Sequence, residues 1–225
     1  MASELIRGIQ SKGVIACAKH FIANEQEKYR NSSNSIVDER TLMEIYVEPF
    51  YKAIKKGDVG CIMCSYNAVN GVYMYKNTLM KDVLKNKLGF NGFIVSDWWA
   101  VYSDTPDSIN NGLDMNMPGN ISKIPFFGSL KFKPSYWSSL PEQVEQNLIT
   151  KEKLDDSAER IISTLYRFGQ MENFPKTENF DTNYITEETK KLNRRAATES
   201  IILLKNDDNT LPINWYLSMI SLAKN

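Results

Sequence analysis

At 225 residues the chain is long enough for one large domain, or for one domain and part of a second. Its 27 Lys and Arg balance its 27 Asp and Glu, so no basic excess points to nucleic acid or an anionic membrane surface. An apolar content of 42%, with 11% aromatic residues, supports a packed core rather than disorder. No apolar run approaches the roughly 18 residues a membrane helix needs. The opening Met-Ala-Ser-Glu-Leu-Ile-Arg-Gly lacks the basic-then-apolar order of a signal peptide, so a soluble chain is expected and its compartment stays open.

The first predicted element is an apolar strand over 13–18, ending on Lys19-His20. A polar loop follows to Val37. Asp38 then caps a predicted helix whose inward face is Leu42, Ile45, Tyr46, Phe50, Ala53 and Ile54, closing near Gly57. Pro49 should kink or divide that helix. A second strand over 59–64 ends in Ser65-Tyr66-Asn67, and a helix over about 77–88 carries Leu79, Val83, Leu84 and Leu88 on one side.

The third strand is the most informative segment. The turn at Gly89 and Asn91-Gly92 launches Phe93-Ile94-Val95, which ends on Asp97 between Ser96 and Trp98-Trp99. A fourth short strand is expected within 111–119. Strands alternating with helices imply parallel pairing through crossovers. Helices over 141–148 and 151–168 follow, the second with Leu154, Ala158, Ile161, Ile162 and Leu165 at helical spacing and a stop at Gly169. Residues 173–184 read as a linker, 187–198 as a basic helix, 201–204 as a strand, and 215–225 carry no pattern.

Four strands do not close a barrel, and a (β/α)8 barrel typically takes about 250 residues. The expected fold class is therefore α/β: the C-terminal part of a TIM-like barrel, followed by the beginning of a second domain. The chain begins one short helix before its first strand, as a piece cut from something longer would.

Three cysteines cannot all pair, and Cys61-Ile62-Met63-Cys64 has the spacing of a redox or zinc motif. Within a strand, an offset of three puts the two sulfurs on opposite faces. Core thiols are the expectation, and no His/carboxylate set has metal-ligand spacing.

Three consecutive strand ends carry Lys19-His20, Ser65-Tyr66-Asn67 and Asp97-Trp98. Parallel neighbours would bring these ends to one rim, where α/β barrels present their chemistry. An anion, a cation, an imidazole, a phenol and an aromatic plane suit a polyhydroxyl ligand better than a phosphate, and no GxxxxGK[ST] or GxGxxG motif is present. Each residue also has a plainer role. Asp97 could cap a following helix, Lys19 could snorkel, and Met63 and Tyr66 could be core. His20, the one histidine, could be a structural hydrogen bonder.

These motifs resemble glycoside hydrolase family 3. The resemblance rests on Gly13-Val14-Ile15-Ala16-Cys17-Ala18-Lys19-His20-Phe21, on Met63-Cys64-Ser65-Tyr66-Asn67, on Gly92-Phe93-Ile94-Val95-Ser96-Asp97-Trp98 and on Gly112-Leu113-Asp114-Met115-Asn116-Met117-Pro118-Gly119. Ala196-Ala197-Thr198-Glu199-Ser200-Ile201-Ile202-Leu203-Leu204-Lys205-Asn206 is similar to the entry into that family's second, α/β sandwich domain. It implies a partial N-terminal domain over 1–170, a linker with a helix over 171–195, and a truncated sandwich domain over 196–225.

The resemblance, nearest to fungal-type β-glucosidases, implies a retaining hydrolase of terminal β-glucosyl residues in β-glucosides and cello-oligosaccharides. It needs no cofactor or metal. Asp97 matches the nucleophile, and Lys19 and His20 match the pair that binds glycone hydroxyls. Met63, Tyr66 and Trp98 match the walls of the sugar subsite, and Arg30 would order the loop. Lys19 would favour the charged form of Asp97, and Tyr66 would hydrogen-bond it.

The acid/base is expected from the missing second domain and is unassigned here; Glu25, Glu27 and Asp104 qualify by chemistry alone. An inactive remnant that binds sugar weakly is the alternative, and a barrel lyase with Lys19 as Schiff-base nucleophile is a third class. Asn31-Ser32-Ser33 and Asn120-Ile121-Ser122 are glycosylation sequons, relevant if the protein is secreted as many relatives are.

Overall fold

The computed structural model describes residues 1–103, 106–118, 137, 139–172 and 183–213. The chain divides into two compact units, Met1–Pro175 and Lys176–Asn225. In the first unit, α1 (Ala2–Gln10) leads to β1 (Cys17–Phe21), β2 (Asn34–Ser35), α2 (Glu39–Thr41) and α3 (Glu48–Lys55). Then come β3 (Cys61–Cys64), β4 (Ala68–Val69), β5 (Val72–Tyr73), β6 (Phe93–Ser96), α4 (Asp107–Asn110), α5 (Leu140–Glu145) and α6 (Lys151–Arg167). The second unit holds α7 (Glu187–Ser200).

The main sheet is parallel, in the order β1-β3-β6. Cys17 pairs with Cys61, Cys61 with Phe93, and Cys64 with Ser96. The continuous apolar runs of β3 and β6 follow from cover on both faces: Ile62, Cys64 and Ile94 are all fully buried. The expected fourth strand shrinks to one parallel bridge, Val95 to Met115. A second small sheet runs β2-β4-β5, with β2 parallel to β4 and β4 antiparallel to β5. The architecture is thus mixed α/β with small sheets and no closed barrel among the described residues.

Two glycines set the approach of neighbouring strands. A Cβ on Gly92 would lie 2.2 Å from the Gly60 carbonyl oxygen, and one on Gly60 would lie 2.7 Å from the Phe168 ring. Only glycine lets the chain segments entering β3 and β6 come this close.

β1 lies further along than the apolar run suggests, so Lys19 and His20 fall inside the strand rather than beyond it. Its partner explains the shift. The Ser65 amide donates to Phe21 O at 2.7 Å, and Ser65 Oγ accepts from the Ile22 amide at 2.9 Å, so β3 holds the strand past Ala18. The Lys19–His20 and Phe21–Ile22 peptide bonds are cis.

Asp38 does cap its helix, its Oδ1 accepting from the Thr41 amide at 3.0 Å. Pro49 divides that helix, as a residue with no N–H and a bulky ring must. A π-helical stretch, Leu42–Tyr46, precedes it, with the Val47 amide bonding to Leu42 O. The wider turn shifts the helix face. Leu42, Phe50 and Ala53 are buried, whereas Ile45 is 63% exposed, against expectation.

The 77–88 helix is likewise π-helical over Met80–Lys87, with Val83, Leu84 and Leu88 buried. Thr150 caps α6, and Gly169 (φ +68°) ends it in the left-handed region. The buried positions of α6 are Ser157 and Thr164; Ala158 and Ile162 are exposed. Polar anchoring overrides the apolar stripe: Arg160 Nη1 donates to Phe90 O at 2.8 Å, and Ser157 Oγ donates to Asp114.

In the second unit Thr186 caps α7, accepting from the Thr189 amide at 3.1 Å. The expected strand 201–204 is not formed. No partner strand for it exists among the described residues, and Leu204 is 92% exposed. The remaining linker and C-terminal expectations fall largely on residues 173–182 and 214–225, outside those described. No helix among the described residues is long and apolar enough to cross a membrane.

Candidate active site

The ends of β1, β3 and β6 converge because the three strands are parallel; β3 and β6 pair without a shift, and β1 shifts register against β3 between Ala18 and Phe21. Asp97 follows β6 directly, and its amide donates to Cys64 O, the last residue of β3, at 3.3 Å. Its side chain is only 12% exposed. Oδ1 accepts from the Trp98 amide at 2.7 Å, while Oδ2 lies 3.2 Å from His20 Nε2 on β1. The helix-capping role does not apply, since the next helix, α4, begins ten residues later.

Burial lowers the affinity of His20 for its proton, and Asp97 partly opposes that. The imidazole is therefore mostly neutral near pH 7. Tyr66 lies beneath the same rim. Burial raises its phenol above the ordinary range, and the Asp97 charge adds to this. Its hydroxyl donates to Trp98 O rather than to the Asp97 carboxylate, which departs from the sequence expectation. The Arg30 guanidinium stacks over the Tyr66 ring at 4.2 Å and pairs with Glu27 at 2.8 Å.

Lys19, Met63 and Trp98 occupy looser positions. Met63 is half-buried in β3, paired with Val95. Trp98 is 39% exposed. Lys19 is exposed and forms no ion pair among the described residues; the group touching Asp97 is His20. A cavity of about 620 Å³ opens beside β1, lined by Lys19, His20, Asn24, Glu25, Tyr46 and Phe50. Asp97 does not line it, so cavity and carboxylate meet at the imidazole. Glu25 and Glu27 are both exposed, and Asp104 lies outside the described residues.

Three supports were not legible as such in the sequence. Asn67 Nδ2 donates to Ile22 O and Ala23 O at 3.2 Å each, fastening the segment after His20. Tyr102 donates to Tyr66 O at 3.5 Å and packs edge-on against Tyr73 at 5.0 Å. Asp114, fully buried, accepts from Lys85 Nζ at 2.6 Å, Ser157 Oγ at 3.0 Å and the Ile94 amide at 2.8 Å. The only advance signal for Asp114 is a carboxylate inside an apolar run. Among the described residues no three His, Cys, Asp or Glu side chains cluster as a metal site would require.

Residues 1–164 match the glycosyl hydrolase family 3 N-terminal domain. The chain is 41% identical over 221 residues to a probable β-glucosidase L of Aspergillus terreus, covering 94% of this chain and 29% of that protein. It is similar to the crystal structure of a β-glucosidase from Chaetomella raphigera, with a TM-score of 0.80 and 36% identity over 95% of this chain and 30% of that one. It is also similar to a β-glucosidase from Kluyveromyces marxianus in complex with glucose, with a TM-score of 0.74 and 35% identity over 94% of this chain and 25% of that one. The chain spans less than a third of the length of these relatives. On its sequence and its fold alike, this chain belongs to glycosyl hydrolase family 3.

Proposed function

We propose that the chain carries the nucleophile side of a retaining β-glucosidase site, with Asp97 as the attacking carboxylate. The observation that carries this reading is the contact between Asp97 Oδ2 and His20 Nε2, which spans the ends of β1 and β6 on either side of β3. An Asp97 oxygen forms a bond to the sugar's C1 as the C1–O bond to the aglycone breaks. The bonding pair leaves on the aglycone oxygen, which takes a proton from a general acid. Water then attacks C1, loses its proton to the same group, and frees the carboxylate.

The Trp98 amide stabilises Asp97 as it is released. Lys19 and His20 bind glycone hydroxyls, Met63, Tyr66 and Trp98 shape the sugar subsite, and Arg30 orders its loop. In this reading β1, β3 and β6 are an arc of a (β/α)8 barrel spanning 1–170. Residues 171–195 link it to the start of an α/β sandwich at 196–225. Substrates are terminal β-D-glucosyl units of β-glucosides and cello-oligosaccharides.

Retention requires a second carboxyl about 5–5.5 Å from the nucleophile. Glu25 and Glu27 are exposed, and Glu27 is already engaged by Arg30. That observation favours a second reading, in which these 225 residues bind glucose without turnover.

The experiment uses a 2-fluoro glucoside with a dinitrophenolate leaving group, which departs without protonation and so tests the nucleophile alone. Mass spectrometry should find the sugar on the peptide containing Asp97, and Asp97→Asn should abolish the adduct. Labelling elsewhere, or none on a chain that calorimetry shows to bind glucose, would overturn the assignment and leave binding without turnover.

A further inference from the structure

We propose that Cys17 and Cys61 are a reversible oxidation site: a thiol pair that hydrogen peroxide converts to a disulfide joining β1 to β3. The two residues are register partners in adjacent parallel strands, so their side chains stand on the same face of the sheet. Adjacent strands run about 4.8 Å apart, within the Cα separation of about 4.4–6.8 Å that a disulfide spans. The Cys61 amide donates to Ala16 O at 3.1 Å, which pins the strands at this level.

The three cysteines have distinct environments. Cys17 is exposed and lines a cavity of about 260 Å³ together with Lys19, so a small oxidant reaches it. The Cys61 thiol beside it draws the Cys17 thiol below its ordinary range, and Lys19 adds to this. Cys17, together with burial, pushes Cys61 up. Cys64 is fully buried on the other face of β3, and burial pushes it up to about 12. Cys17 is the attacker, Cys61 the resolving thiol and Cys64 a bystander.

The chemistry balances with peroxide as oxidant. The Cys17 thiolate attacks one peroxide oxygen, the O–O bond breaks, and hydroxide leaves to give a sulfenic acid. Cys61 sulfur then attacks Cys17 sulfur, water leaves, and the S–S bond forms. Two thiols and one peroxide yield one disulfide and two waters. The linked pair is not the Cys61-Cys64 motif that the sequence draws attention to.

The test treats the native 225-residue chain with hydrogen peroxide, blocks remaining thiols with maleimide, and maps the peptides by mass spectrometry. The thiol titre should fall from three to one, with a Cys17–Cys61 linked peptide that dithiothreitol reverses. Cys64→Ser should leave the link intact, and Cys17→Ser should leave Cys61 reduced. A Cys61–Cys64 link, or Cys17 carried on to sulfinate while Cys61 still reacts with maleimide, would overturn the proposal. A link that forms equally fast in urea would overturn it too, since the sheet would then play no part.

Discussion

Replacing Asp114 by asparagine should destabilise the first unit by about 3 kcal/mol. Its carboxylate is fully enclosed and Lys85 beside it is only 4% exposed, so the substitution leaves a buried ammonium whose remaining partner is Asp156 Oδ2 at 3.6 Å. Breaking a buried pair from one side costs about 3–5 kcal/mol, and the amide oxygen retained by asparagine still accepts from Ile94, which sets the lower end. Asp114→Ala removes that acceptor as well and adds about 1–3 kcal/mol for an orphaned strand N–H.

The double variant Lys85→Met/Asp114→Asn removes both charges while keeping the Ile94 bond. It should therefore recover most of the loss, to within about 1.5 kcal/mol of the parent. Urea denaturation followed by tryptophan fluorescence measures these three variants and the Lys85→Met single, with the slope required to stay constant so that midpoints report stability. Additive single losses, or an Asp114→Asn loss under about 1 kcal/mol, would show that the pair is not the constraint described.

Three further outcomes follow from the rim and its supports. The His20 imidazole should titrate below the free-histidine value by NMR, and Asp97→Asn should lower it further, because the carboxylate's attraction favours the charged ring. Because burial depresses the folded value, His20 disfavours the fold on the acid side: stability contributed by its neutral form is full above the unfolded value and is lost as pH falls from there through the folded one, which pH-dependent urea midpoints would register. Ser65→Ala leaves the buried Ile22 amide without its acceptor and should cost about 1–3 kcal/mol, read by thermal melting. Gly92→Ala would set a methyl 2.2 Å from the Gly60 carbonyl and should lower the yield of folded chain severely; a melting point near the parent's would contradict the close approach.

Where sequence and structure agree, local chemistry dominates. Strands β3 and β6 are unbroken apolar runs launched by turns, the Asp38 cap is short-range, and Pro49 acts through its own missing N–H. The differences are tertiary. β1 continues through Lys19-His20 because Ser65 and Asn67, over forty residues away, supply partners no local pattern encodes. Ile45 turned outward because a π turn adds a residue, and hydrophobic periodicity assumes that none is added. The helical spacing of apolar residues in α6 does not set its buried positions, because Ser157 and Arg160 are anchored to distant partners while Ala158 and Ile162 face outward. At the rim, Asp97 beside His20 follows from parallel strand order, whereas the Tyr66 bond to Trp98 O depends on a backbone turn after β6.

The grip of Arg160 on Phe90 O and Gly92 O also orders events during synthesis. Those carbonyls launch the strand that delivers Asp97, yet their guanidinium cap is translated about seventy residues later. A nascent chain halted before α6 exits the ribosome would lack this guanidinium cap, so the entry to the strand is closed from downstream.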